Sequence, residues 1–272
     1  MTSNAEIVEL AFERLPGTGG GASAGFSFLL VHGWGRSRSD WSAISARLSV
    51  IAPVVAVDLR GHGASEAGAD MHLAHVAGDV RAVAERLGVE SVVVVGHSAG
   101  SEVAAWLARE DPQRFAGLVV IDPAFGFPDS DRERISAMSE RLRTEEPEKV
   151  AAEHFQRLGP SPLLPRLPES GGVLAATPEA ATEMFAKFAF GPDALRFASQ
   201  ARSFFRRFPV PILAFYSSEQ RARIARDILA SARAEVMVLP GGHWTHHEFP
   251  EAVVDAVGAW SAAHLTSPSA RF

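Results

Sequence analysis

The sequence contains no cysteine. Disulfides, thiolate zinc sites, iron–sulfur clusters and a cysteine nucleophile are therefore excluded, and the absence of thiols agrees with a cytosolic setting. Lysine is almost as scarce: Lys149 and Lys187 are the only two, so arginine carries nearly all the positive charge. No run approaches the roughly 18–20 apolar residues that a bilayer span requires. The first ten residues include Glu6 and Glu9 and lack a basic stretch ahead of an apolar one. No secretory signal is expected there, and the chain reads as cytoplasmic. The formal net charge of -6 gives no general attraction to nucleic acid or anionic membrane. Neither a Walker-type nor a dinucleotide-binding glycine pattern is present, and no His-x-x-x-His spacing on a helix with a partner acid is read. Neither an organic cofactor nor a metal is expected, and the partner is expected to be a small-molecule substrate. A monomer or a homodimer is expected.

What is present is a globular balance. The 272 residues are 47% hydrophobic and 21% charged, enough for one large domain or a core carrying an insertion. Apolar, β-rich runs at 26–31, 50–57, 91–96 and 118–121 alternate with helical spacing at 41–48, 72–87 and 99–109. Gly88 stands where a helix over 72–87 would close. Strands alternating with helices at this spacing predict a mostly parallel sheet covered on both faces, an α/β fold. From 123 to 208 no strand is expected. Helices over 131–143, 148–158, 178–188 and 193–205 take their place, separated by Pro- and Gly-rich breaks at Gly159-Pro160-Ser161-Pro162 and Glu169-Ser170-Gly171-Gly172. Strand character returns at 210–216 and 235–239, followed by a last helix over 251–264. The pattern divides the chain into a core of 1–122 and 209–272 and a helical cap insertion of 123–208. Gly17 to Gly21 reads as a hairpin tip.

The decisive segment is Gly96-His97-Ser98-Ala99-Gly100, directly after the strongest strand and before a helix. A sharp strand-to-helix turn needs glycine where a Cβ would crowd the backbone. Such a turn lifts a serine Oγ above the sheet and aims the helix N–H groups at the same place. A serine capping a helix would explain Ser98 but not both glycines. A serine hydroxyl needs a base, and of ten histidines His243 is placed for the role, in the loop between the 235–239 strand and the last helix. His246 and His247 read as surface or helix-start residues, and His97 as pointing away from the serine. His62 belongs to a glycine-flanked turn, and His72, His75, His154 and His264 lie on helices. The glycine-rich end of the first apolar run, His32-Gly33-Trp34-Gly35, can turn a backbone N–H inward. The N–H groups of Trp34 and Ala99 would then form an oxyanion hole.

Taken in order, His32-Gly33-Trp34-Gly35, Asp58-Leu59-Arg60-Gly61-His62-Gly63, Gly96-His97-Ser98-Ala99-Gly100 and Gly242-His243 resemble the α/β-hydrolase superfamily over roughly residues 25–122 and 208–264. The resemblance implies the α/β-hydrolase fold with a helical cap and a serine nucleophile. It implies a hydrolase acting on ester bonds, carboxylesterase- or lactonase-like, that cleaves an ester, thioester or lactone through an acyl-enzyme at Ser98 with no cofactor.

The triad acid departs from the family's usual placement. After the 210–216 strand, Ser217 stands where a glycine is expected and Gln220 where the acid is expected, with Glu219 one residue early. A second placement known in the superfamily falls on Asp122, at the end of the strand after the nucleophile helix. Asp122 is favoured, and Glu219 is kept as the alternative acid. The same departure opens a rival. Cofactor-independent dioxygenases that cleave 3-hydroxy-4-quinolones share the fold and an aspartate at this position. There, a His243–Asp122 pair would act as base on the substrate. Arg36 and Ala99 depart from that group, which has histidines at both positions. A non-catalytic small-molecule receptor is the third reading.

Substrate choice is expected to reside in the insertion. Its residues Phe125, Phe127, Met138, Phe155, Leu163, Leu164, Met184, Phe185, Phe188 and Phe190 would in part pack the cap and in part line an apolar pocket. Arg141, Arg143, Arg202, Arg206 and Arg207 read as solvated, so uncharged, largely apolar esters are expected to be preferred.

Overall fold

A computed structural model describes residues 6–18, 24–159 and 173–265. Leu163 and Leu164, both Pro/Gly breaks except Gly159, and most of the Gly17 to Gly21 tip lie outside these residues.

Seven strands form one sheet: β1 (Phe12–Leu15), β2 (Ser27–Val31), β3 (Val54–Val57), β4 (Val92–His97), β5 (Phe115–Ile121), β6 (Ile212–Tyr216) and β7 (Ala234–Val238). Their spatial order is β1-β3-β2-β4-β5-β6-β7. Only the edge strand β1 runs antiparallel, and every other pair is parallel. The strands read as continuous apolar runs because both faces are covered. Phe28, Leu30, Val93, Val95 and Ile121 point to a layer containing Trp41 and Trp260, whereas Leu29, Val31, Val94 and Val120 point to the opposite layer.

The first layer is closed by α1 (Ser45–Leu48) and α10 (Pro250–Leu265). The second holds α2 (Leu73–Arg86), α3 (Gly100–Glu110) and α8 (Glu219–Ile228). Between β5 and β6 the chain inserts α4 (Arg132–Thr144), α5 (Pro147–Arg157), α6 (Pro178–Phe190) and α7 (Ala198–Phe205). This helical region shares the second core layer, and the Trp34 indole N–H beyond β2 donates to the Ala181 carbonyl of α6 at 2.7 Å.

Four elements differ from the sequence expectation. The helix read over 41–48 is a 3-10 turn, Arg38–Trp41, followed by the single α-turn of α1. The helix α7 begins five residues late, because Phe127 forms a parallel bridge with Phe197: the Phe127 N–H donates to the Arg196 carbonyl at 2.9 Å and the Phe127 carbonyl accepts from the Ala198 N–H at 2.7 Å. Strand β1 and helix α8 were not foreseen at all. Helix α8 is capped by Ser218 and buries only a narrow stripe, Ala222, Ala225 and Ile228. Gly88 closes α2 at φ 63°, as read. Among the described residues no helix is long and apolar enough to cross a membrane.

Candidate active site

Because β2 and β4–β7 run parallel, the loops that follow them leave one edge of the sheet, where ligands of open α/β sheets gather. Those loops carry Trp34, Ser98, Asp122, Ser217 and His243, and all five residues line one cavity of about 270 Å³.

Ser98 occupies the turn between β4 and α3 with φ 51°, in the left-handed region. Sterics explain the flanking glycines. A Cβ on Gly96 would lie 2.4 Å from the Gly100 carbonyl oxygen, and one on Gly100 would lie 2.2 Å from the Val31 carbonyl oxygen. Only glycine lets the turn close this tightly. The Ser98 N–H donates to the Ile121 carbonyl at 3.0 Å, which fixes the turn against β5. Trp34 and Ala99 both line the cavity, and among the described residues neither backbone N–H donates to a backbone acceptor outside the regular elements.

Asp122 follows β5 at φ 38°, a second left-handed non-glycine position at the same edge. Its Oδ2 accepts from His243 Nδ1 at 2.6 Å and lies 3.0 Å from the Arg221 guanidinium. Its Oδ1 accepts from the Ser217 N–H at 3.1 Å and the Ser217 hydroxyl at 2.9 Å. A carboxylate only accepts, so Nδ1 of His243 carries the proton in this contact. Burial alone would push the Asp122 carboxyl up, but Arg221, then His243 and the Ser217 N–H, hold it well below the usual carboxylate range. Glu219, the other candidate acid, stands exposed at the start of α8 and is held by Arg226 at 2.6 Å. It does not meet His243.

The remaining histidines fall into distinct places. His97 Nε2 donates to the His243 carbonyl at 3.0 Å. His62 is buried and accepts from the Gly35 N–H at 3.3 Å, a structural contact. His246, read as a surface or helix-start residue, does lie at the start of a short helix but is wholly buried, its ring 4.6 Å from His97 and 5.0 Å from Trp41. The single-turn helix α9 (Thr245–Glu248) directs it inward. Burial holds His97 and His246 well below the ordinary imidazole value, so both are neutral. His154 faces the cavity from α5.

The sequence shows no metal-ligand spacing, yet the structure brings Asp70, His72 and His75 together, with ligand atoms within 4.8 Å of one another. The two imidazole Nδ1 atoms lie 2.6 and 2.8 Å from the Asp70 carboxylate itself, so their mutual contacts account for the cluster.

Of the apolar residues singled out in the insertion, Phe127, Met138, Phe155 and Phe185 line the cavity. Phe125, Met184 and Phe188 are buried in the core instead, and Phe190 is exposed. Arg141, Arg143 and Arg202 pair with carboxylates in solvent, and Arg206 and Arg207 border a separate depression with Arg109. Sequence reasoning missed Ser217, Arg221 and the cavity arginines Arg134, Arg157 and Arg196. Ser217, Arg221 and Arg196 lie far along the chain from the carboxylates they meet, Asp122 and Glu102. Arg134 and Arg157 pair with the neighbouring Asp131 and Glu153, and no local pattern marks them as lining a cavity.

The sequence profile of the alpha/beta hydrolase family matches residues 28–256, and the chain belongs to that family. The dihydrolipoyllysine-residue acetyltransferase component of the acetoin cleaving system of Cupriavidus necator is 40% identical over 113 residues, 41% of this chain and 29% of that protein. A bifunctional esterase/perhydrolase of Acinetobacter calcoaceticus is 46% identical over 97 residues, 34% of this chain and 35% of that protein. The chain thus spans about a third of the length of these curated relatives. Among solved structures, a thermophilic esterase from Thermogutta terrifontis is similar with a TM-score of 0.76 and 26% identity over 96% of each chain.

Proposed function

Starting from membership of the alpha/beta hydrolase family, we propose that this protein cleaves a carboxylic ester, thioester or lactone of a small, largely apolar substrate through an acyl-enzyme at Ser98. The observation that carries the reading is the 2.6 Å contact between His243 Nδ1 and Asp122 Oδ2 in the cavity that Ser98 enters from its strained turn. Ser98 Oγ attacks the carbonyl carbon while His243 Nε2 takes its proton. Asp122 keeps the imidazole in the required tautomer and stabilises the imidazolium. The Trp34 and Ala99 N–H groups hold the oxyanion. His243 returns the proton to the leaving group, then activates the water that releases the acyl chain. The segment 123–208 acts as a cap over a core of 1–122 and 209–272, and Phe127, Met138, Phe155 and Phe185 offer the acyl part an apolar wall. The esterases among the similar proteins support this choice of reaction.

Labelling with a fluorophosphonate probe tests the mechanism. The folded protein is expected to be labelled at Ser98, and Ser98→Ala to stay unlabelled. An unlabelled wild-type protein that consumes oxygen with a 3-hydroxy-4-quinolone would establish the dioxygenase reading instead. An unlabelled protein that only binds would be a receptor.

A further inference from the structure

Resting on the reading of Ser98 as nucleophile, we propose that the substrate carries a carboxylate on its apolar acyl part, bound by Arg157 and Arg134 of the inserted helices.

The chain has a net charge of -6, yet the described residues lining the cavity include five arginines and a single acid, Asp122. Three of the arginines are neutralised by buried carboxylates. Arg36 forks onto Asp40 at 2.9–3.2 Å, Arg196 reaches Glu102 at 2.9 Å and Arg221 reaches Asp122 at 3.0 Å. Arg134 and Arg157 are held differently. Arg134 makes one contact of 2.6 Å with Asp131, and both side chains are open to solvent. Arg157 stands 3.6 Å from Glu153, a carboxylate that Arg141 already holds at 2.9 Å. Pairs of this exposed kind contribute little and exchange readily. Their guanidinium groups remain able to take a second carboxylate in a fork.

Placement connects these cations to the chemistry. The carbonyl of Leu158 accepts from the His243 N–H at 3.3 Å, which sets the end of α5, and so Arg157, beside the proposed base. The His154 ring lies among Trp34, Phe155 and Phe185 at centroid distances of 5.9–6.5 Å. Burial first, then His243, Arg196, Arg157 and Arg134, hold its pKa down to about 3. His154 is therefore neutral and adds no positive charge of its own to that of Arg134 and Arg157. A cavity with apolar walls and two arginines held only by exposed, exchangeable carboxylates suits an amphipathic anion. The uncharged esters expected from the apolar residues alone would satisfy only the walls.

Two esters of one leaving group and one chain length separate the possibilities: p-nitrophenyl hexanoate, which is neutral, and mono-p-nitrophenyl adipate, which ends in a carboxylate. We expect kcat/KM for the adipate ester to exceed that for the hexanoate by at least about tenfold at low ionic strength. The preference should shrink with added salt. In Arg134→Gln/Arg157→Gln it should fall by about the same factor, chiefly through KM. Equal or better cleavage of the hexanoate, or a preference that survives the double substitution, overturns the proposal and leaves the serine mechanism standing. Should neither ester be cleaved and Ser98 resist labelling, the mechanism fails. Calorimetric titration of Ser98→Ala with monoethyl adipate and ethyl hexanoate then decides the charge question alone. Tighter binding of the adipate by about tenfold or more sustains the carboxylate site, and equal affinities remove it.

Discussion

The guanidinium of Arg221 lies 3.0 Å from Oδ2 of Asp122, the same oxygen that accepts from His243 Nδ1 at 2.6 Å. With Ser217 on Oδ1, the carboxylate is held from every side that is not His243. Its orientation is therefore fixed before any substrate arrives, as a group that must steer an imidazole requires.

Asp122→Asn should lower kcat by a factor on the order of 10⁴, as loss of the triad acid does in serine proteases. Glu219→Gln should change it less than about twofold, because Glu219 is exposed and bonded to Arg226. Steady-state kinetics of the two variants on one chromogenic ester measures the ranking, and the reverse order would return the acid to Glu219.

The same contact sets an acid limit to stability. The folded Asp122 pKa is depressed, so its contribution is present above the unfolded value of about 3.9 and is lost as pH falls toward the folded one. Wild type should thus lose stability below about pH 4 more steeply than Asp122→Asn. In Arg221→Gln the loss should begin at a higher pH, since the cation that holds the carboxyl down is gone. Urea midpoints between about pH 2 and pH 6 give the comparison.

Glu102 behaves in the opposite sense. Burial in α3 pushes its carboxyl up to about 7, against the pull of Arg196 at 2.9 Å. A raised carboxylate pKa favours the fold fully below the unfolded value of about 4.3, and that advantage is lost as pH rises through the folded value. Arg196→Ala leaves the buried Glu102 without its cation and should destabilise the fold, with the cost rising toward about 3–5 kcal/mol only above the folded value, where Glu102 would have to be ionised. The cost should be smaller at pH 5 than at pH 8, roughly speaking, because a protonated Glu102 needs no partner. Thermal unfolding of both proteins across that range checks it; a pH-independent difference would show that Glu102 does not titrate.

Two glycine substitutions separate steric need from backbone freedom. Gly100→Ala puts a methyl 2.2 Å from the Val31 carbonyl oxygen, so the turn must open and both folding yield and Ser98 labelling should collapse. Gly88→Ala has nothing within 4 Å of its methyl and meets only the cost of φ 63°, about 1–2 kcal/mol. It should fold and be labelled normally.

These contrasts divide what was legible from what was not. The turn at Ser98 could be read from the sequence because its requirement is local: two glycines four residues apart relieve clashes that any such strand–helix turn creates. The parallel, doubly covered sheet was legible for a similar reason, since continuous apolar strands such as β4 imply burial on both faces. Helix α8 was not, because its buried stripe is mostly alanine amid charged residues. The choice between Asp122 and Glu219 could not be made by pattern either. Asp122 and His243 are 121 residues apart, and their meeting depends on how the ends of β5 and β7 sit across the sheet edge. The same holds for His246, which adjoining residues suggest is exposed and which Trp41 and His97 bury. Arg134 and Arg157 share this origin, for they reach the cavity from helices α4 and α5 of the insertion. Local steric and periodic constraints are written in neighbouring residues, so the sequence by itself determined the family, the fold and the serine turn. Partners brought together by chain folding leave no short-range trace, so only the tertiary structure decided which acid meets His243 and what charge lines the cavity.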